Sequence, residues 1–265
     1  MNLTEYDWIV INTSAGKDSQ AMMEYVVGLA KTAGIPDRVV AVHCDLGRVE
    51  WKGTRDLAVE QCAHYGIPLH VVHREKGDLL QQVEERGMWP DNKNRYCTSD
   101  QKRDQVAKLV TSLVNDFIAE HAGIDRPVRV LSCMGLRAEE SSARAKKLPF
   151  QSNKRLTNGK RQVFDWLPIH EWKVQHVWSC IKASGVKYHY AYDLGMPRLS
   201  CCFCIFASEG ALMIAGKNNP ELLAEYVRVE KTTGHDFRHG FKIESIQTRL
   251  NQGEQPPTRV ASWTM

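Results

Sequence analysis

The residues with the clearest chemical potential form one run, Ser14-Ala15-Gly16-Lys17-Asp18-Ser19, after the apolar Trp8-Ile9-Val10-Ile11 and before Ala21, Met22, Tyr25, Val26 and Leu29 at helical spacing. A strand that enters a small-residue turn and opens a helix aims backbone N–H groups and the positive end of the helix dipole at one point. A phosphate can sit there. Gly16 lets the backbone come close, Lys17 adds charge from a solvated loop, and Ser14 and Ser19 add hydroxyls. The run is not a Walker A loop, because Asp18 follows Lys17 and no glycine lies upstream in the turn. A second set is Cys201-Cys202-Phe203-Cys204, in which Cys201 and Cys204 make a Cys-x-x-Cys pair with Cys202 spare. Thiolates so spaced suit a tetrahedral zinc or an iron–sulfur cluster, and free redox-active thiols are the third alternative. Cys44, Cys62, Cys133 and Cys180 lie in apolar patterns and read as packing. His235 and His239 have i, i+4 spacing but no third ligand, and read as solvated.

To position the phosphate turn, the chain offers strands alternating with amphipathic helices. Arg38 to His43 and Leu69 to Val72 read as buried strands, with a helix capped by Thr54 between them. A short helix over Gly77 to Arg86, an irregular loop from Met88 to Thr98 that carries Cys97, and a long helix over Gln101 to His121 follow. Arg129 to Met134 and Gln162 to Trp166 read as further strands, and a helix spans Glu171 to Ala183. Such alternation gives right-handed βαβ units and a parallel sheet, with ligands beyond the carboxyl ends of the strands. The turn at Ser14 and the carboxylate of Asp45, just after the second strand, would share that edge.

At 265 residues the chain suits an α/β core with a smaller appended part. The division read from the sequence is a nucleotide-binding α/β domain over 1–200, a cysteine segment and helical extension over 201–250 with Leu212, Met213, Leu222, Leu223, Tyr226 and Val227 in its core, and a frayed tail over 251–265. No apolar run approaches a membrane span and the first residues lack a secretory pattern, so a cytoplasmic protein is expected, and its eight cysteines are no disulfide framework. The net charge of +4 is uneven: residues 1–134 hold 16 Lys and Arg against 19 Asp and Glu, which leaves +7 for the rest. Much of that excess is Arg144, Lys146, Lys147, Lys154, Arg155, Lys160 and Arg161, with no acid between Ser141 and Phe164, a segment suited either to an anionic partner or to plain solvation.

Several motifs then agree. The Ser14–Ser19 run looks like the PP-loop of the ATP pyrophosphatases. With Asp45-Leu46-Gly47 and Glu50-Trp51, Arg95-Tyr96-Cys97-Thr98, Gly135-x-Arg137-x-Glu139-Glu140-Ser141 with Arg144, and Tyr192-Asp193 through Cys204, it resembles the phosphoadenosine phosphosulfate reductase family over roughly residues 5 to 210. The resemblance implies an adenine nucleotide α-hydrolase-like fold, a mostly parallel five-stranded sheet with helices on both faces. It implies that Ser14, Ala15, Gly16, Lys17, Asp18 and Ser19 hold the β- and γ-phosphates of ATP with Mg²⁺, that Asp45 and Gly135 lie near the nucleotide, that Lys17, Asp18 and Arg137 act in catalysis, and that Arg144 faces phosphate or sulfonate groups.

Ala15 stands where the motif has a second glycine, but Lys17 is intact and no cysteine follows Cys204. Sulfonucleotide reductases of the family carry a degraded PP-loop and a nucleophilic tail cysteine. The chain is therefore more similar to the ATP-cleaving members, such as those of DNA phosphorothioation and tRNA thiolation. The family places Cys97 beside Cys201 and Cys204, an arrangement that implies a 4Fe–4S cluster with an open iron or with Cys202 as fourth ligand; zinc, with His189, is the lesser alternative. The activity expected is adenylation of an acceptor for sulfur insertion, with nucleic acid as the acceptor on Arg144, Lys146, Lys147, Lys154 and Arg155, and a cysteine desulfurase as sulfur source. A sulfonucleotide reductase, an ATP sulfurylase-like enzyme and an ATP-switched nucleic-acid-binding subunit are the alternatives.

Overall fold

The computed structural model describes residues 1–261. In chain order the elements are β1 (Trp8–Thr13), α1 (Lys17–Thr32), β2 (Val39–Cys44), α2 (Thr54–Tyr65), β3 (Leu69–Val72), α3 (Leu79–Arg86), the single turn α4 (Tyr96–Thr98), α5 (Asp104–Glu120), β4 (Val128–Met134), α6 (Ser142–Ala145), β5 (Phe150–Ser152), β6 (Arg161–Trp166), α7 (Val174–Ser184), α8 (Glu209–Asn218), α9 (Pro220–Thr233) and α10 (Glu244–Asn251). Contacts gather them into two compact units. One comprises Met1–Cys44, Gly53–Val72 and Gln105–His189, the other Asp45–Lys52, His73–Asp104 and Tyr190–Met265. The second unit thus takes in two segments from well before residue 201.

In the first unit the strands run β3-β2-β1-β4-β6-β5, parallel except for β5. Ile9, Val10 and Ile11 of β1 are fully buried because the strand is covered on both faces, which is why it reads as an unbroken apolar run. Met22, Met23 and Val26 of α1 and Val177 and Ile181 of α7 pack on one face. On the other, α5 supplies Val106, Leu109, Val110, Leu113 and Val114. From β1 the order proceeds to β2 on one side and to β4 on the other, so the crevice of this sheet lies at the carboxyl ends of β1 and β4.

Three expectations are corrected. The sheet has six strands, not five, because Phe150–Ser152 pairs antiparallel with β6 inside the segment expected to be a loop; three exposed residues carry no alternation that sequence could reveal. The helix expected from Gln101 begins at Asp104, after a π-turn over Ser99–Arg103. The tail from Gln252 is not frayed through Val260: Glu254 pairs with Arg249, and Val260 N–H donates to the Gly195 carbonyl at 3.2 Å. Residues 262–265 of that tail lie outside the described residues.

The second unit has its own core, in which Leu80, Trp89, Phe203, Leu212, Tyr226 and Phe237 are among the buried side chains. Leu212, Met213, Leu223, Tyr226 and Val227 are buried as expected, and Leu222 is half-buried against them. Tyr226 stacks on Trp89 with ring centroids 5.3 Å apart. A buried carboxylate closes its far end, where Glu230 accepts the backbone N–H groups of Phe237 and Ile243 at 2.8 and 2.9 Å.

Candidate nucleotide and thiol sites

In the first unit, β1 ends at Thr13 and α1 opens at Lys17, so Ser14, Ala15 and Gly16 form the connection. Ala15 is fully buried with φ 54°, the one non-glycine residue with positive φ among the described residues. It occupies the position of the missing second glycine in the conformation that glycine prefers, at a cost of order 1–2 kcal/mol. The Ser19 hydroxyl donates to the Gly16 carbonyl at 2.9 Å and accepts the Ser14 N–H at 3.2 Å, which closes the turn on itself. First-turn N–H groups have no carbonyl four residues back within their helix, so the start of α1 presents donors where a phosphate would sit.

Lys17 is not in a solvated loop. It is 4% exposed, and its ammonium donates to Asp18 Oδ2 at 3.0 Å. Arg137, also 4% exposed, donates through Nε to Asp18 Oδ1 at 2.6 Å and through Nη1 to Glu139 at 2.5 Å. Burial alone would raise the Asp18 carboxyl; the charges of Lys17 and Arg137 and their hydrogen bonds outweigh it and hold the group below the usual carboxylate range. Arg137 therefore acts on the turn through Asp18. Arg144 pairs with Glu140, which also accepts the Arg137 backbone N–H, so this cation is tied to the same corner.

The Asp18 shift has a sign that can be tested. A folded carboxyl below its unfolded value stabilises the protein above about pH 4, and that contribution disappears as pH falls through the folded value. The difference in unfolding midpoint between wild type and Asp18→Asn is expected to shrink on acidification below about pH 4. A constant difference would show that the ion pairs contribute nothing through ionisation.

Gly135 follows β4 and meets the turn directly. A Cβ there would stand 2.8 Å from the Asp18 carbonyl oxygen and 3.0 Å from the Ser19 nitrogen, backbone atoms that cannot swing away. Gly135→Ala is expected to displace the first turn of α1 and to weaken ATP binding at least tenfold with the sheet intact. Equilibrium binding of labelled ATP, with circular dichroism for the fold, checks this. Wild-type affinity would place the phosphates elsewhere.

The second unit gathers the thiols. Cys97, Cys201 and Cys204 are half-buried against its apolar core, while Cys202 is wholly inside it. Burial pushes the Cys201 thiol up to about 12; Lys102 opposes the shift, and Cys204 and Cys97 add to it. Burial likewise raises Cys204, with Cys97 adding and Lys102 and Arg198 opposing. The three thiols are thus within electrostatic reach of one another, and at Cys201 and Cys204 burial outweighs the opposing charges of Lys102 and Arg198.

Local structure explains the gathering. The Tyr96 hydroxyl donates to the Met88 carbonyl at 2.6 Å and the Arg95 guanidinium lies over the Phe206 ring at 5.0 Å, which fixes the turn that carries Cys97. Gln82 bonds both Asp100 and Gln101 and holds the π-turn that follows. The Cys202 N–H donates to the Val49 carbonyl at 2.8 Å, which ties the cysteine segment to the Glu50-Trp51 motif. Asp45 also belongs to this unit, where its carboxylate accepts the Gly47 N–H.

The donor set has the chemistry for iron–sulfur or zinc, three thiols from two segments. As the side chains stand, no three His, Cys, Asp or Glu among the described residues converge closely enough to hold a metal ion. Cys202 is fully buried in the apolar core while Cys97, Cys201 and Cys204 are only half-buried, which disfavours it as a fourth ligand. His189 lies in the first unit, with its ring 3.2 Å from the Thr54 hydroxyl. Lys102, Arg198 and the hydroxyl of Tyr226 near these thiols carry no sequence signal, since nothing in their spacing relates them to a cysteine.

Residues 8–207 match the phosphoadenosine phosphosulfate reductase domain. The chain belongs to this family. Both the phosphate turn and the cysteine segment fall inside the matched stretch. No curated protein sequence matches the chain. Among solved structures it is similar to the FMN adenylyltransferase of Candida glabrata in complex with FAD and inorganic pyrophosphate, at 14% identity over 75% of this chain and 57% of that one, with a TM-score of 0.49. It is also similar to the phosphoadenylyl-sulfate reductase of Candida auris in a phosphate complex, at 16% identity over 75% and 83% with a TM-score of 0.43. A third is the U34-tRNA thiolase of Methanococcus maripaludis with its 4Fe–4S cluster, at 15% identity over 93% and 73% with a TM-score of 0.43. The chain spans little more than half of the adenylyltransferase. No described helix is long and apolar enough to cross a membrane.

Proposed function

We propose that this member of the phosphoadenosine phosphosulfate reductase family is an ATP pyrophosphatase that adenylates an acceptor, with nucleic acid the acceptor class, so that sulfur can be inserted. The observation that supports it is the phosphate turn: a helix start at the sheet's crevice, approached by Gly135 and lined by a buried lysine. An acceptor oxygen attacks the α-phosphate of ATP, the bond to the β-phosphate breaks, and pyrophosphate leaves with the negative charge. Lys17 and the first amides of α1 stabilise that charge as it develops, and Mg²⁺ arriving with the nucleotide would supply further positive charge there. Asp18, held by Arg137, keeps the Lys17 ammonium in place. A sulfur nucleophile then displaces AMP from the activated acceptor.

A 4Fe–4S centre on Cys97, Cys201 and Cys204 would supply sulfur handling, and the reduced thiols this needs suit the cytoplasm, with a cysteine desulfurase as sulfur source. Asp45 is assigned to the nucleotide, and Arg144, Lys146, Lys147, Lys154 and Arg155 to the acceptor. The test is pyrophosphate release from ATP with and without DNA or RNA. Release stimulated by polynucleotide is expected. Binding of ATP without any release would support the ATP-switched subunit instead, and release stimulated only by sulfate would point to a sulfurylase.

A further inference from the structure

The eight residues Ala145 to Ser152 are all exposed, an unusual state for a stretch that contains Leu148 and Phe150 at 63% and 41% exposure. The stretch ends in β5, the last strand of the sheet, so one side of β5 has no neighbouring strand among the described residues. Three residues make β5 a very short edge strand, and Phe150-Gln151-Ser152 carries no charge of its own. The charge stands on either side: Lys146 and Lys147 before the strand, Lys154, Arg155 and Lys160 after it, all exposed.

Aromatic residues cluster around this edge. Phe150 lies opposite Trp166 in the β5–β6 register and stacks on Phe164, with centroids 5.5 Å apart and planes 8° from parallel. Pro149, next to Phe150, lines a surface cavity of about 380 Å³ whose walls include Tyr25, Trp166 and Trp172. Tyr25 sits 5.5 Å from Trp172 and 6.4 Å from Trp166, centroid to centroid, and is 38% exposed.

We propose that the β5 edge and the adjoining aromatic cavity form a track for single-stranded nucleic acid, with one base stacked on Phe150, its neighbour turned into the cavity at Tyr25, and the backbone phosphates along Lys146, Lys147, Lys154 and Arg155. Cations that flank an exposed ring match a polymer that alternates phosphates with flat apolar faces. A duplex hides those faces inside its stack, so paired strands could use the cations alone. The inference takes its partner class from the nucleic-acid reading above and adds the strandedness and the residues that read it.

The test is fluorescence anisotropy with three labelled probes on the full chain without ATP: a single-stranded DNA oligonucleotide, its RNA counterpart and a blunt DNA hairpin, with polyglutamate as competitor. Single strands are expected to bind at least tenfold more tightly than the hairpin, and the difference between DNA and RNA tells which polymer is preferred. Phe150→Ala should weaken single-strand binding roughly tenfold or more without changing its salt slope, since the ring carries no charge. Phe150→Tyr should restore it, and Tyr25→Ala should weaken it through the cavity. The triple change Lys146→Ala, Lys147→Ala, Lys154→Ala should flatten the slope by about two units, at roughly 0.7 per phosphate contact. Equal affinity for hairpin and single strand, or wild-type affinity in Phe150→Ala, overturns the track while leaving a nucleic-acid acceptor standing. Failure of the wild type to bind any polynucleotide removes that acceptor as well, and effective competition by polyglutamate assigns the surface to an acidic protein.

Discussion

Lys17→Ala is expected to slow pyrophosphate release from ATP a hundredfold or more, since one charge-assisted contact to the departing phosphates is commonly worth about 3 kcal/mol. The structure changes how the fold should respond. Lys17 is 4% exposed and bonded to Asp18, so its removal takes a counter-charge from a half-buried carboxylate. Asp18 keeps Arg137 at 2.6 Å, and for that reason the loss of stability should stay below the roughly 3–5 kcal/mol of a buried charge left alone. Pyrophosphate release and thermal unfolding, measured on the same preparation, separate the two effects. A mutant that melts as wild type and still cleaves ATP at the wild-type rate would remove Lys17 from the phosphates.

The cysteines should divide in a way their spacing does not show. Cys97→Ser and Cys204→Ser are each expected to lose most of the bound iron and acid-labile sulfide of anaerobically purified protein, because a hydroxyl is a poor ligand for iron in such a centre. Cys202→Ser is expected to keep most of it, since that thiol is fully buried in the apolar core. Cys62→Ser serves as the control; Cys62 lies in the first unit's core, where burial raises its thiol to about 12. Full iron in Cys97→Ser would take that residue out of the site. Iron lost equally from Cys202→Ser would make it a ligand, and zinc in place of iron throughout would sink sulfur transfer while leaving the phosphate turn untouched.

Most of what positions the phosphate turn was legible in the chain. The unbroken apolar run of β1, the small residues after it and the helical spacing from Ala21 are local signals, and each formed the element it implied. The environment of Lys17 was not legible, because its partner Asp18 is also held by Arg137, about 120 residues away, which sequence cannot place. The same holds for the thiols: Cys-x-x-Cys announces itself, but the turn that brings Cys97 near is fixed by Tyr96, Gln82 and Arg95 through bonds to Met88, Asp100 and Phe206. β5 was hidden because three exposed residues in a basic stretch look like any solvated connection.

The second compact unit is assembled from three separate stretches, and the order of synthesis bears on it. Leu79, Leu80, Val83 and Trp89 emerge from the ribosome early, but the residues that cover them, among them Leu212, Leu223 and Tyr226, come only after all of Gln105–His189 has been made. At about 5–20 residues per second that intervening stretch of roughly 85 residues takes some 4–17 s. Through this interval the apolar surface of α3 and the Cys97 turn are present without the second half of their core, so the nascent chain passes through a stage that a chaperone would recognise and an oxidant could reach. A centre that uses Cys97 with Cys201 and Cys204 can therefore be loaded only late, after Cys204, about three quarters of the way along the chain, has emerged.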